Sequence, residues 1–263
     1  MLARQLPSLP TLLAAAPKAE LHLHLDGSLR PTTLLELARD QKVKLPTEDL
    51  DALSDILRPG TSCASLGEYL RAFDLTTAVM KTPEALERIA YELLEDQAAD
   101  HVRYVEIRYS PILVAHDNLS MEDAMRAVDR GLDAGEHDFG VVSRQIACAM
   151  RDRCADTSLS IADAAVAVAA DTRVVGFDLA GDESNHPPDR HAAAFLRARQ
   201  AHLRATVHAG EAAGPASIAG ALHLLGAERI GHSVALREDN ALLAYMRDRG
   251  IVVEACPTSN VQT

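Results

Sequence analysis

Two histidines spaced two apart, His22 and His24 in LHLHLDG, are the first residues of this chain whose types and spacing could do chemistry. Side chains at i and i+2 of a strand leave the same face, so both imidazoles point one way. Alone the pair says little, because surface HxH pairs are common. Among leucines in a buried strand, two imidazoles need partners that offset their desolvation. His208 ends a second β-type run, TVHAGE, whose Gly-containing turn leads directly to Glu211, and His232 ends a third, RIGHS. Histidines gathered at strand ends beside a carboxylate suit a catalytic zinc centre with one coordination position left open, where a bound water reaches a pKa of roughly 7. Glu211 could then donate a proton to a substrate, and His232 could accept or steer the proton of the water. That is the chemistry of hydrolytic attack on an electrophilic carbon.

The same residues also have plain readings. His208 could be a satisfied loop histidine, and Asp178, Asp182 and Glu183 of GFDLAGDE could form a solvated strand-to-loop edge. Asp178, however, sits in an otherwise apolar run and so needs a buried partner. Gly181, just past that run, leaves a backbone N–H open to close approach by a ligand. His101, His116, His137, His186, His191, His202 and His223 show no partner pattern and read as ordinary surface or core residues.

The elements that must position these residues alternate between short β-type runs and longer helical patterns. Strands are expected at Ala19 to Leu25, Val102 to Tyr109, Gly140 to Ala149, Arg173 to Leu179, Arg204 to His208, Arg229 to His232 and Gly250 to Ala255. Several are nearly all apolar, as strands buried on both faces are. Thr82 can cap a helix with Pro83 at its first position, Ser120 can cap a Met121 to Leu132 helix, and Gly226 and Gly250 suit left-handed helix ends. Strand, helix, strand repeated in this way implies parallel pairing and right-handed crossovers. The fold class is therefore α/β: a TIM-type (β/α) barrel with seven of eight strands present, in a single domain over 1–263. The stretch from Arg39 to Met80 is too long for a simple crossover. It reads as a helical insertion after the first strand, with a helix at Ser65 to Met80, and such insertions sit at the catalytic face of a barrel.

Composition narrows the partners. A formal charge of −12 over 263 residues argues against nucleic acid or an anionic membrane surface. No apolar run is long enough for a signal peptide or a bilayer span. Cys63, Cys148, Cys154 and Cys256 form no CxxC pair, which points to reduced thiols in a cytoplasmic enzyme and excludes a thiolate zinc site of the cytidine-deaminase type. No Gly-rich dinucleotide or phosphate loop follows a strand.

HLHLDGSLRP (22–31), YVEIRYSP (104–111), GFDLAGDE (176–183), TVHAGE (206–211), RIGHS (229–233) and EACPTSN (254–260) together resemble the adenosine deaminase family of amidohydrolase-type barrels, in family order and across nearly the whole chain. The resemblance implies one zinc ion per subunit held by His22, His24 and His208. Glu211 would protonate the purine N1 while hydroxide attacks C6, with His232 assisting the hydroxide. His24, Asp26 and Gly181 would line the substrate, Asp26 at the ribose hydroxyl and Gly181 at N3. Ammonia leaves, and adenosine becomes inosine; GFDLAGDE favours adenosine over free adenine. Adenine, a modified adenosine, or an inactive purine-binding relative remain alternatives. The family continues into an eighth strand ending in an Asp-Asp pair, one aspartate on the zinc and the other at N7. The sequence has no such pair before Thr263. On that reading the chain is a C-terminally incomplete barrel, short of a metal ligand, and substantial turnover by these 263 residues alone is not expected. Nothing in the sequence speaks to oligomeric state.

Overall fold

The computed structural model describes residues 8–58 and 66–262. Seven strands, β1 (Lys18–His24), β2 (Val102–Tyr109), β3 (Val142–Met150), β4 (Val174–Ala180), β5 (Arg204–Ala209), β6 (Arg229–His232) and β7 (Val252–Glu254), lie side by side in chain order. Each neighbouring pair is parallel. The sheet curls so far that side chains of β1 meet those of β5 and β7 across its interior: His22 contacts both His208 and Glu254. The result is the expected (β/α) barrel, nearly closed, with the helices outside.

Two strands keep the bounds their sequence suggests, Val102–Tyr109 and Arg229–His232. Three start later than expected, β4 by one residue at Val174 and two others by two. Gly140 has φ 67° and ends the preceding helix, so β3 begins at Val142. Gly250, at φ 64°, likewise ends a helix, and β7 shortens to Val252–Glu254. Glycine stops a helix there because its missing Cβ permits the left-handed turn.

The helices follow their caps. Thr82 accepts the N–H of Ala85 ahead of the helix Pro83–Ala99, which buries Leu86, Ile89, Ala90, Leu93 and Leu94. Ser120 accepts the N–H of Asp123 ahead of Met121–Phe139, which runs past Leu132 to Gly140. These two helices pack against each other closely at Gly131, where a Cβ would stand 2.1 Å from the Glu87 carbonyl oxygen. One continuous apolar cluster runs through the layer between helices and strands.

After β1 the chain adds the helices Leu50–Leu57 and Leu66–Val79. Ser65 and Cys63 lie outside the described residues. Phe73, Asp74 and Thr77 of the second helix line the cavity at the C-terminal ends of the strands, so the insertion covers the face where the candidate residues gather. Cys148, Cys154 and Cys256 are unpaired thiols. Among the described residues no helix is long and apolar enough to cross a membrane.

Candidate active site

All seven residues singled out in the sequence (His22, His24, Asp26, Gly181, His208, Glu211 and His232) line one cavity of about 730 Å³ at the C-terminal ends of the strands. The β1 pair projects inward as its spacing requires. His22 Nε2 lies 3.0 Å from His208 Nε2, and His24 Nε2 lies 3.0 Å from the same atom. His22, His208 and His232 form a second overlapping group, with ligand atoms all within 4.8 Å of one another. His24 thus joins the cluster through His208.

The outer nitrogen of His22 fixes its tautomer. His22 Nδ1 is 2.8 Å from Glu254 Oε2, so that nitrogen carries the proton and Nε2 turns a lone pair to the centre. His208 Nδ1 stands 2.9 Å from Asp178 Oδ2, in close contact but bent away from linear hydrogen-bond geometry. Where both Nε2 atoms present lone pairs, as zinc ligands do, they repel at 3.0 Å unless a cation lies between them. Two ligands on one tetrahedral zinc stand roughly 3.3 Å apart at ordinary Zn–N lengths, so the spacing fits a metal and the donor set suits zinc. Burial, followed by the charge of Arg108, holds the His22 pKa well below its usual value; burial followed by His208 does the same for His24. Both are therefore neutral near pH 7, the form that binds metal.

Behind the histidines lies a charged layer. Arg108 of β2 is fully buried and donates from Nη1 to Asp178 Oδ2 at 2.8 Å, and from Nη2 to Glu254 Oε2 at 2.7 Å and the Leu21 carbonyl at 2.6 Å. It is the buried partner that Asp178 requires. Although burial raises the Asp178 pKa, His208 and then Arg108 outweigh it and hold the carboxyl ionised far below its usual range. Thr206 Oγ1 and Arg229 Nε satisfy Glu254 Oε1 at 3.0 and 2.8 Å. Two carboxylates, each on a different imidazole, are therefore tied together by one guanidinium.

His232 closes the other wall. It and Ser233 both have left-handed backbones, φ 67° and 56°, uncommon for residues with a Cβ. The Ser233 N–H, bonded to Ala209 O at 3.0 Å, and the Ala235 N–H, bonded to Gly210 O at 2.9 Å, hold the turn against β5. Burial, then His208 and Arg108, push the His232 pKa down to about 3, so the ring is neutral. Its Nδ1 lies 3.5 Å from Glu211 Oε1 and 2.9 Å from the Asn260 amide. Asp26 is buried with Oδ1 lacking a hydrogen-bond partner; burial raises its pKa to about 7, against the pull of the backbone N–H groups of Asp26 and Gly27. Gly181 takes φ 98°, a conformation its lack of a Cβ permits.

Three residues of the site are not apparent from the sequence. Arg108 and Glu254 stand in motifs that resemble the family, yet nothing local marks them as the pair that braces the histidines. The only hint is charge inside a buried strand. Glu183 departs from the solvated-edge reading: it is 4 % exposed and accepts four backbone N–H groups from the turn 210–213. Asp182 fits that reading, bonding its own loop at Ser184 and Asn185.

The family model described as adenosine deaminase matches residues 17–263. This chain belongs to the adenosine deaminase family. An adenosine deaminase of Mycobacterium bovis is 43 % identical over 274 aligned residues, covering 98 % of this chain and 74 % of that protein. Among solved structures, an amidohydrolase from Burkhoderia ambifaria with bound Zn superposes with TM-score 0.88 at 30 % identity, over 96 % of this chain and 69 % of that one. An adenine deaminase from Arthrobacter aurescens superposes with TM-score 0.87 at 31 % identity, over 94 % of this chain and 74 % of that one. The chain therefore has the architecture of an adenosine deaminase family enzyme, and its histidine cluster suits the metal such a relative carries.

Proposed function

We propose that this chain removes the 6-amino group of adenosine by hydrolysis, releasing ammonia and leaving inosine, in the cytoplasm, with one zinc ion held by His22, His24 and His208. The observation that carries the reading is the pair of 3.0 Å Nε2 contacts that His208 makes with His22 and His24. The rings of His22 and His208, whose outer nitrogens rest on Glu254 and Asp178, are oriented as metal ligands are. When bound, zinc supplies the Lewis acidity that makes a water proton easier to remove at neutral pH.

The remaining steps fall to the chain's own side chains. Glu211, as a carboxylic acid facing the cavity, delivers a proton to N1 of the purine, which draws electrons from C6 and opens it to attack. His232, neutral at working pH, takes the proton of the attacking water. To do so it must present a lone pair at Nε2, which requires Asn260 to turn its amide oxygen toward His232 Nδ1–H; amide orientation is interchangeable at that position. Asp26 Oδ1 takes the ribose hydroxyl as its missing partner, and Gly181 offers its backbone N–H to N3. The likeness to an adenine deaminase keeps a free base in view as a second substrate.

The test follows adenosine, adenine and an N6-modified adenosine by absorbance with zinc-loaded protein, as these 263 residues and in a form carried on through an Asp-Asp strand of the kind the family has, and turnover is expected of the second form. Adenosine should be deaminated fastest, and Glu211→Gln should keep its zinc while turnover falls by about 10²-fold or more. Faster turnover of adenine would overturn the substrate assignment, and normal turnover in Glu211→Gln would overturn the proton donor.

A further inference from the structure

Glu183 does not line the cavity, and its type alone suggests no part in turnover. Its surroundings do. Oε1 accepts the N–H of Gly210 at 2.6 Å, while Oε2 accepts those of Glu211, Ala212 and Ala213 at 2.9, 2.8 and 3.1 Å. Four successive amides converge on one buried carboxylate, an anion-binding nest whose curvature depends on the left-handed Gly210, φ 73°. One of those amides belongs to Glu211. Glu183 is also two residues past Gly181, in the turn that follows β4. A single carboxylate thus fastens the loop carrying Gly181 to the loop carrying Glu211.

We infer that Glu183 is a positioning residue that fixes the Glu211 carboxyl relative to the ring-binding edge at Gly181. The inference rests on the proton-donor reading of Glu211. Its physical basis is the geometry demanded of an acid that must reach one ring nitrogen while a backbone N–H holds another on the same ring. A displacement of about 1 Å at such a group can cost on the order of 10²-fold in rate. Charge-assisted bonds to backbone amides are the strong kind and hold a turn in one conformation. An amide in place of the carboxylate could still accept from three of the N–H groups with its oxygen. Its NH₂ would then face the fourth N–H donor, and the turn would shift.

The test compares wild type, Glu183→Gln, Glu211→Gln and the double variant, each in the form extended through the Asp-Asp strand, zinc-loaded and checked for zinc content. Hydrogen exchange at the amides of 210–213 should quicken by about tenfold or more in Glu183→Gln, with β5 itself unchanged. Turnover should fall by about 10- to 100-fold in kcat with KM within about threefold. On the Glu211→Gln background, adding Glu183→Gln should cost less than about threefold further, because the residue acts through Glu211. If Glu183→Gln does not accumulate folded, Glu183→Asp gives the same comparison with the charge retained, and a smaller but equally non-additive loss is expected. Unchanged exchange at those four amides overturns the inference whatever the turnover. Losses that multiply in the double variant, with Glu211→Gln itself impaired, overturn it alone. Full turnover in Glu211→Gln overturns both it and the reading of Glu211.

Discussion

Gly231 of β6 lies against the imidazole of His22 so closely that a Cβ on it would stand 2.7 Å from Cε1 and 3.1 Å from Nδ1. The ring has no easy retreat, because its Nδ1 is held by Glu254 at 2.8 Å. Gly231→Ala should therefore turn the ring off its line and weaken zinc binding by about 10- to 100-fold, the usual effect of disturbing a ligand's orientation. Competition with a coloured chelator measures it. Wild-type affinity would show that the ring has room to move.

Arg108 predicts a stability effect of a different kind. Its guanidinium is buried between Asp178 and Glu254, both fully enclosed. Arg108→Met leaves two buried carboxylates without their shared cation, which should cost about 3–5 kcal/mol in urea unfolding. A loss under about 1 kcal/mol would mean that water or the neighbouring Arg229 takes over the charge.

These two cases show what the sequence makes legible. His22, His24, His208 and His232 stand out because each is a polar side chain at the end of an apolar run, a pattern contained within a few residues. Val102–Tyr109 and Arg229–His232 are legible for the same reason. Arg108 and Glu254 are 146 residues apart, and their pairing exists only because the barrel brings β2 and β7 to a common interior. Glu183 reads as part of a polar loop because the four amides that bury it belong to another turn, 27 to 30 residues later. The starts of β3 and β7 were obscured by glycines that end helices yet also fit the beginning of a strand.

Close packing between the helices Pro83–Ala99 and Met121–Phe139 gives a third expectation. Gly131→Ala would place a methyl group 2.1 Å from the Glu87 carbonyl oxygen, a backbone atom that cannot rotate away. The helices must separate, costing about 1–3 kcal/mol. Gly140→Ala, with nothing within 4 Å but φ 67°, should cost about 1 kcal/mol through strain alone. Denaturant midpoints for the two variants separate crowding from backbone strain, and equal small losses would refute the crowding.

His191 sets a pH dependence. It is fully enclosed, with Nδ1 2.8 Å from Ser158 Oγ. Burial pushes its pKa down to about 4 from 6.5; a backbone bond at Arg151 opposes this, and the charges of Arg151 and Arg190 reinforce it. The unfolded chain takes up the proton first as pH falls. Its contribution is therefore complete above about pH 6.5 and lost progressively toward pH 4, on the order of 3 kcal/mol in all. Unfolding free energies measured across that window should fall more steeply for wild type than for His191→Gln. Parallel curves would show that the ring is reached by water before the fold opens.

The order of the strands has a consequence for how the molecule comes into being. His22 waits for His208, 186 residues downstream, and for Glu254, 232 residues downstream. Every earlier strand can pair with the one just made, but the cation's cradle joins the beginning of the sheet to its far side. Contacts at such separation carry the largest loop-closure cost and form late. On a ribosome, which delivers the N-terminal strands first, the imidazole of His22 would spend most of synthesis without its carboxylate. Capture of the proposed zinc would thus record that the first strand has met the fifth.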